Sequence, residues 1–308
     1  MKQSVKINKK ILTLLISVSC VLFGQFCIVP MTTEAQGLNK LKYKTLQDYF
    51  RYNGDNSIIV SGHRGGIEKF YPENCIESFE NIVCQIPVFF EIDPRLTKDS
   101  VIVLMHDAKL DRTSTGKGKL IDYTWKELQS VRLKDNYGNI TSYKIPKLEK
   151  VIRWSKGKTI INLDEKDVPK SMIVSLIKKY NATGHVMVTV HDAQEAKYYF
   201  DRIPNIMMSA FILSIEAYNE YAATGIPWEN FIAYVGPVIG TKNKEVVDSL
   251  HRNGVRCMIA FGPNHDKMDQ PEERRKAYIQ EINRNPDIIE SNYPIEVWKA
   301  IQMVKSSL

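Results

Sequence analysis

The chain is short of cysteine and histidine, and its charge is close to balanced. Each shortage narrows what it can be. Five cysteines occur in 308 residues, and Cys20 and Cys27 lie in an apolar N-terminal run. Cys75, Cys84 and Cys257 remain. With residues 77–83 helical, Cys75 and Cys84 stand about 13 Å apart at roughly 1.5 Å per residue, too far to bridge. No disulfide framework follows, and no Cys/His spacing suggests zinc. The formal charge is +7, with Lys2, Lys6, Lys9 and Lys10 in the first ten residues. The remaining lysines form no dense cluster with interleaved aromatics, so nucleic acid is not an expected partner. Internal repeats and low-complexity tracts are absent, which excludes a repeat array.

What is present is an ordinary globular balance, 44% hydrophobic and 25% charged, long enough for one large α/β domain or two smaller ones. The N-terminal lysines precede an apolar run from Ile11 to about Val29, and Thr33-Glu34-Ala35 stand before Gln36. That order is a secretory signal over residues 1–35. Its removal takes four lysines and one glutamate and lowers +7 to +4. Lipid attachment at Cys20 is an alternative, but Ser17-Val18-Ser19 lacks the leucine expected before a lipidated cysteine. An uncleaved anchor is opposed by Ser17, Ser19, Gly24 and Gln25 inside the run. The expectation is a secreted or periplasmic chain without a stable membrane span after cleavage.

Residues 36–56 form an N-terminal segment whose Leu38, Leu41, Tyr43, Leu46 and Phe50 suggest a helix lying across the bottom of a barrel. Residues 57–308 form the main domain. Short β-branched runs at 58–60, 88–92, 101–105, 159–163, 185–190, 206–213, 231–235, 255–261 and 287–289 alternate with amphipathic stretches such as 171–180, 193–200, 242–253 and 272–284. Strands alternating with helices predict βαβ units and a parallel sheet. Nine runs exceed the eight of a closed barrel. Only seven residues join the second run to the third, too few for a parallel crossover, so that junction is irregular or a hairpin. The loop-rich stretch 107–158 follows the third run and reads as loops plus a short helix over the mouth.

Chemistry concentrates early. Gly62-His63-Arg64-Gly65-Gly66 precedes Tyr71-Pro72-Glu73-Asn74, then Glu91-Ile92-Asp93 and His106-Asp107. Glu91 and Asp93 share one strand face, and paired carboxylates repel unless a cation or proton lies between them. Oxygen ligands of this kind suit Mg²⁺ or Ca²⁺. Asn162, Asp164 and Lys166 repeat the geometry, with Asp164 able to complete the carboxylate set and Lys166 able to reach a phosphate oxygen. Read singly, each group could be a solvated or salt-bridged strand end. His63 and His106, two of only six histidines, end apolar runs beside carboxylates and Arg64, as an acid–base pair would. Gly62, Gly65 and Gly66 would let backbone approach an anion. His185, His191, His251 and His265 take structural roles by default, with His191 the one to line the mouth. The inventory suits phosphodiester hydrolysis.

At this point the chain closely resembles the glycerophosphodiester phosphodiesterase family. The match runs through His63-Arg64-Gly65, Pro72-Glu73-Asn74, Phe79, Glu91-Ile92-Asp93, Leu96-Thr97-Lys98-Asp99, His106-Asp107, Leu110 to Gly118, Thr124 to Leu128 and Ile145 to Glu149. It continues more loosely at Asn162 to Lys166 and Asp287 to Pro294. The resemblance implies a single-domain TIM-type (β/α)8 barrel that hydrolyses glycerophosphodiesters to an alcohol and glycerol 3-phosphate. It implies His63 and His106 as the acid–base pair, Glu91, Asp93 and Asp164 as ligands of a divalent cation, Mg²⁺ or Ca²⁺, and Arg64 and Lys166 on the phosphate. Asp164 stands where the family usually has Glu, and Cys75 replaces the usual Thr after Pro-Glu-Asn. Residues 258–264 and 189–192 depart from the usual Trp-Thr-Val-Asn and Ser-Phe-Asp. Those changes lie where the alcohol-side pocket is expected. They leave open another phosphodiester, a lipid, a teichoic-type polymer or a sugar phosphate, and a non-catalytic barrel that binds phosphorylated ligands.

Overall fold

The computed structural model describes residues 44–307. The expected signal over 1–35 and the first part of the 36–56 segment lie outside the described residues. In chain order the strands are β1 (Ile59–His63), β2 (Phe89–Ile92), β3 (Pro94–Leu96), β4 (Ile102–Leu104), β5 (Ile161–Leu163), β6 (Val186–Val190), β7 (Met207–Phe211), β8 (Phe231–Gly236), β9 (Cys257–Ala260) and β10 (Ile288–Ser291). Eight of them close a parallel barrel in the order β1-β10-β9-β8-β7-β6-β5-β2. The ninth apolar run is β4. It pairs antiparallel with β3 outside the barrel, Pro94 opposite Leu104, so of the two readings of the short junction, irregular or hairpin, the hairpin is the one formed. The loop-rich stretch therefore belongs to one insertion between barrel strands β2 and β5.

Alternation along each strand builds the barrel in layers. Inward residues at the strand starts, Phe89, Ile160, Met187, Met207, Ile232, Met258 and Ile288, form one apolar cluster. Leu46 and Phe50 of α1 (Leu46–Phe50) complete it, with Thr45 accepting from the Asp48 N–H at the helix start. The amphipathic segment thus closes the barrel bottom. Two residues further along, the inward positions of seven barrel strands turn polar or aromatic, Ser61, Glu91, Asn162, Thr189, Ser209, Tyr234 and Glu290, while β9 presents Ala260. Outward residues such as Val186, Val188 and Val190 join the larger core beneath the helices.

The insertion has its own apolar cluster, in which Val103, Leu110, Leu120, Leu133 and Ile145 pack with Cys75. Its short helix α2 (Trp125–Leu128) carries a reciprocal Thr124/Glu127 capping box, which satisfies exposed N–H groups at the helix start. Among the described residues no helix is long and apolar enough to cross a membrane.

The glycines after β1 serve the fold. Gly65 and Gly66 have φ of +92° and +87°. A Cβ on Gly65 would lie 2.6 Å from the Phe79 ring, and one on Gly66 2.9 Å from Pro294. The Gly65 and Gly66 N–H groups donate to the Gly62 and His63 carbonyls, so neither is left for the anion that the sequence had suggested. Gly65→Ala combines a left-handed φ with overpacking and should lose about 3 kcal/mol of stability. Urea unfolding of the variant checks this; an unchanged midpoint would remove the packing argument.

Candidate active site

The upper layer opens into a cavity of about 330 Å³ lined by His63, Glu91, Asn162, Asp164 and Glu290 on one side and by Phe211, Tyr234, Met258 and Pro263 on the other. Glu91 and Asp93 extend from β2, and Asp164 follows β5. The Asp164 N–H donates to the Ile92 carbonyl at 2.9 Å, which keeps the two strand ends side by side. Ligand oxygens of Glu91, Asp93 and Asp164 lie within 4.8 Å of one another. Asn74 holds Asp93 twice, its Nδ2 donating to Oδ2 at 2.6 Å and its Oδ1 accepting from the Asp93 N–H at 3.0 Å.

Electrostatics separates the carboxylates. Burial pushes the Glu91 carboxyl well above its ordinary value, and Asp93, Glu290 and Asp164 push it further. Burial also acts on Asp93, but Lys166, Arg64, the Asn74 amide and His106 outweigh it and hold Asp93 low. Lys166 Nζ lies 3.0 Å from Asp93 Oδ1 and also contacts Asp164. Burial opposes the ammonium, yet Asp93 and Asp164 keep it above its ordinary value. Three hard oxygen donors with no sulfur or nitrogen among them fit Mg²⁺ or Ca²⁺.

Both histidines are oriented through Nδ1. His63 Nδ1 meets Asn292 Oδ1 at 2.7 Å, and the Asn292 N–H donates to buried Asp266 at 2.6 Å. His63 Nε2 faces Glu91 at 3.9 Å. His106 follows the hairpin strand β4, so the insertion supplies it. Its Nδ1 lies 2.8 Å from Asp107 Oδ1. With Nδ1–H donating to Asn292 or Asp107, the Nε2 atoms are left for proton transfer.

Arg112 joins the two parts of the site. Its guanidinium donates to both Glu73 oxygens at 2.8 and 2.9 Å and to both Asp107 oxygens at 2.8 and 2.9 Å. The hydrogen bond from Arg112 is the main reason the Asp107 carboxyl is held well below the usual range. Glu73 also faces Arg64 at 3.6 Å, and Arg64 faces Asp93 at 3.6 Å. Arg64 has φ of +56°, and its buried Nε has no hydrogen-bond acceptor.

The structure therefore gathers Glu91, Asp93, Asp164, Arg64, Lys166 and His63 around one mouth, with His106 tied in through Asp107, Arg112 and Glu73. His191 lies at the rim, 3.6 Å from Asp164 and against Phe211. His185 is buried against the Ile152 carbonyl, and His265 packs on Phe261. His251, Cys257 and Asp287 form a second group at the strand starts. There Asp287 Oδ2 already accepts from His251 Nε2 and the Cys257 N–H, each at 2.7 Å, and Tyr52 stacks on His251. Sequence reasoning gave no role to Arg112, Asn292, Glu290, Ser209, Phe211 or Tyr234. Period-two counting upward from Met207, Ile232 and Ile288 would have found the last four.

Comparison with known proteins follows the same lines. The profile of the "Glycerophosphoryl diester phosphodiesterase family" matches residues 63–270. A Bacillus subtilis glycerophosphodiester phosphodiesterase is 25% identical over 224 residues, 64% of this chain and 74% of its own length. A crystal structure of a glycerophosphoryl diester phosphodiesterase from Parabacteroides distasonis is 51% identical, with a TM-score of 0.83 over 86% of this chain and 94% of that one. An Oleispira antarctica phosphodiesterase, solved with the product sn-glycerol-3-phosphate, shares the fold at 19% identity and a TM-score of 0.59, over 79% of this chain and 96% of its own.

Proposed function

Because the chain belongs to the glycerophosphoryl diester phosphodiesterase family, we propose that it hydrolyses glycerophosphodiesters to an alcohol and glycerol 3-phosphate with His63 and His106 as its acid–base pair. The observation that carries this reading is the grouping of Glu91, Asp93 and Asp164, of which Glu91 and Asp164 line a cavity with His63, while the His106 imidazole is linked to the group through Asp107, Arg112 and Glu73. Membership makes the chain a phosphoric diester hydrolase, and the residue roles are the added step.

A divalent cation held by Glu91, Asp93 and Asp164 would polarise the phosphoryl oxygens and offset their growing charge. Arg64 and Lys166 supply fixed positive charge to the same oxygens, where desolvated cations act strongly on a developing anion. One histidine takes a proton from the nucleophile as its oxygen bonds to phosphorus. The nucleophile is water, or it is the neighbouring glycerol hydroxyl, which gives a cyclic phosphate that water then opens to glycerol 3-phosphate with the histidine roles exchanged. The other histidine delivers its proton to the alkoxide as the P–O bond breaks, so the alcohol leaves neutral. Export behind the N-terminal signal is part of the proposal.

The test is direct. Protein beginning at Gln36 and supplied with Mg²⁺ or Ca²⁺ should release glycerol 3-phosphate from glycerophosphodiesters, followed in a coupled colorimetric assay. Folded protein that turns over none of them with either ion would end this reading.

A further inference from the structure

The group at the strand starts has a donor set unlike that of the mouth. His251 lies in the last turn of α3 (Lys244–Arg252), Cys257 opens β9, and Asp287 stands just before β10. Only folding brings these three positions together. An imidazole nitrogen, the thiol sulfur and a carboxylate oxygen lie within 4.8 Å of one another.

Cys257 is fully buried and in no disulfide. Burial pushes its thiol well up, and Asp287 and Asp248 push it further. Among the described residues Asp287 has no lysine or arginine partner; its ion pair is with His251 at 2.7 Å. Arg256 turns its guanidinium to Asp55 and Ser57 instead. Tyr52 stacks on the His251 ring with centroids 3.8 Å apart and covers one face of it. The His251 side chain keeps 23% exposure, so water reaches the group.

A buried thiol beside a carboxylate ionises when a cation takes up the charge. Sulfur, imidazole and carboxylate together suit a borderline-soft ion such as Zn²⁺, whereas Mg²⁺ and Ca²⁺ take oxygen. A helix C-terminus, where His251 sits, favours positive charge as well. Going beyond the hydrolase reading and independent of it, we infer that His251, Cys257 and Asp287 form a zinc site at the bottom of the barrel, separate from the oxygen-lined group at the mouth. Zinc bonds of about 2.0–2.3 Å set tetrahedral ligands roughly 3.3–3.7 Å apart, so the His251–Asp287 contact opens by about 0.6 Å. Cys257 releases its proton to water as its sulfur binds. In the neutral ring the His251 Nε2–H gives way to the Nδ1–H tautomer, which frees Nε2 to ligate. Water takes the fourth position. The ion then ties the end of a helix to the starts of two barrel strands.

Cobalt tests this without substrate. Metal-stripped protein titrated with Co²⁺ should develop a thiolate-to-metal charge-transfer band, and Zn²⁺ should displace it. The mouth holds no sulfur, so the band reports the bottom site alone. Cys257→Ser should abolish it. His251→Gln keeps an N–H donor for Asp287 but has no imidazole. It should melt with wild type in chelator yet need about a hundredfold more Co²⁺ for the band. Zn²⁺ should raise the wild-type melting temperature more than that of either variant, and turnover of glycerophosphodiesters should be the same in all three. The wild-type titration and His251→Gln hold the test if the serine variant does not fold. No thiolate band in wild type overturns the site. A band that survives Cys257→Ser, or an unchanged metal affinity in His251→Gln, overturns it too. Because the band needs no turnover, failure of the hydrolase reading leaves this result standing.

Discussion

His63→Ala and His106→Ala should each lower kcat on glycerophosphodiesters by about a thousandfold, the middle of the range for losing a positioned acid or base. The two should not multiply in the double variant, because one proton cycle uses both groups. Arg112→Met leaves both histidines in place and removes the fork onto Asp107 and Glu73. Its loss should be smaller, about 10–100-fold, as for partners that orient an acting group. Arg112→Lys keeps the charge but has no planar fork, so it should recover little of that loss. Steady-state kinetics on folded variants decide. Full activity in both alanine variants would show that the pair does not carry the chemistry.

Removing the divalent ion should have a comparable effect, and pH gives it a second signature. Burial, Asp93, Glu290 and Asp164 raise the Glu91 carboxyl well above its ordinary 4.5 in the ion-free protein. The folded state then holds a proton that the unfolded chain has released. Stability of chelated protein therefore falls as pH rises through 4.5 and on toward the raised folded value. Asp93, held below its ordinary 3.8, acts in the other direction only at lower pH. A bound cation displaces the Glu91 proton, so ion affinity should grow with pH. Melting temperatures in chelator and in Mg²⁺ or Ca²⁺ from about pH 5 to 8 should diverge as pH rises, since a ligand stabilises by its affinity for the folded state. Activity in excess chelator should fall about a thousandfold, given the several kcal/mol a metal supplies to a developing anion. A constant gap between the melting curves would mean that Glu91 is not a ligand.

How much of this was legible in the sequence depends on how local the signal is. Eight barrel strands and one hairpin followed from nine apolar runs and one short junction, because crossover length is a hard constraint. The carboxylates were legible because Glu91 and Asp93 sit two residues apart on one strand, and Asp164 repeats the pattern. The helix at the barrel bottom was legible from Leu46 and Phe50. Arg112 was visible inside a dense motif, but nothing local says that its two forks bridge residues 73 and 107. Asn292 acts through a histidine 229 residues away, a distance that only barrel closure removes. The glycines were misread because their neighbours Phe79 and Pro294 come from elsewhere in the chain.

The insertion is the feature with the widest consequence. It carries His106 on a segment with a separate apolar cluster, while His63 rides on a barrel strand. Segments with their own small cores can open below the free energy of global unfolding. Each such opening would carry off one member of the proposed acid–base pair and leave the barrel folded. Turnover would then scale with the fraction of molecules whose insertion is seated, a population set by the apolar cluster that Val103, Leu110, Leu120, Leu133 and Ile145 form with Cys75.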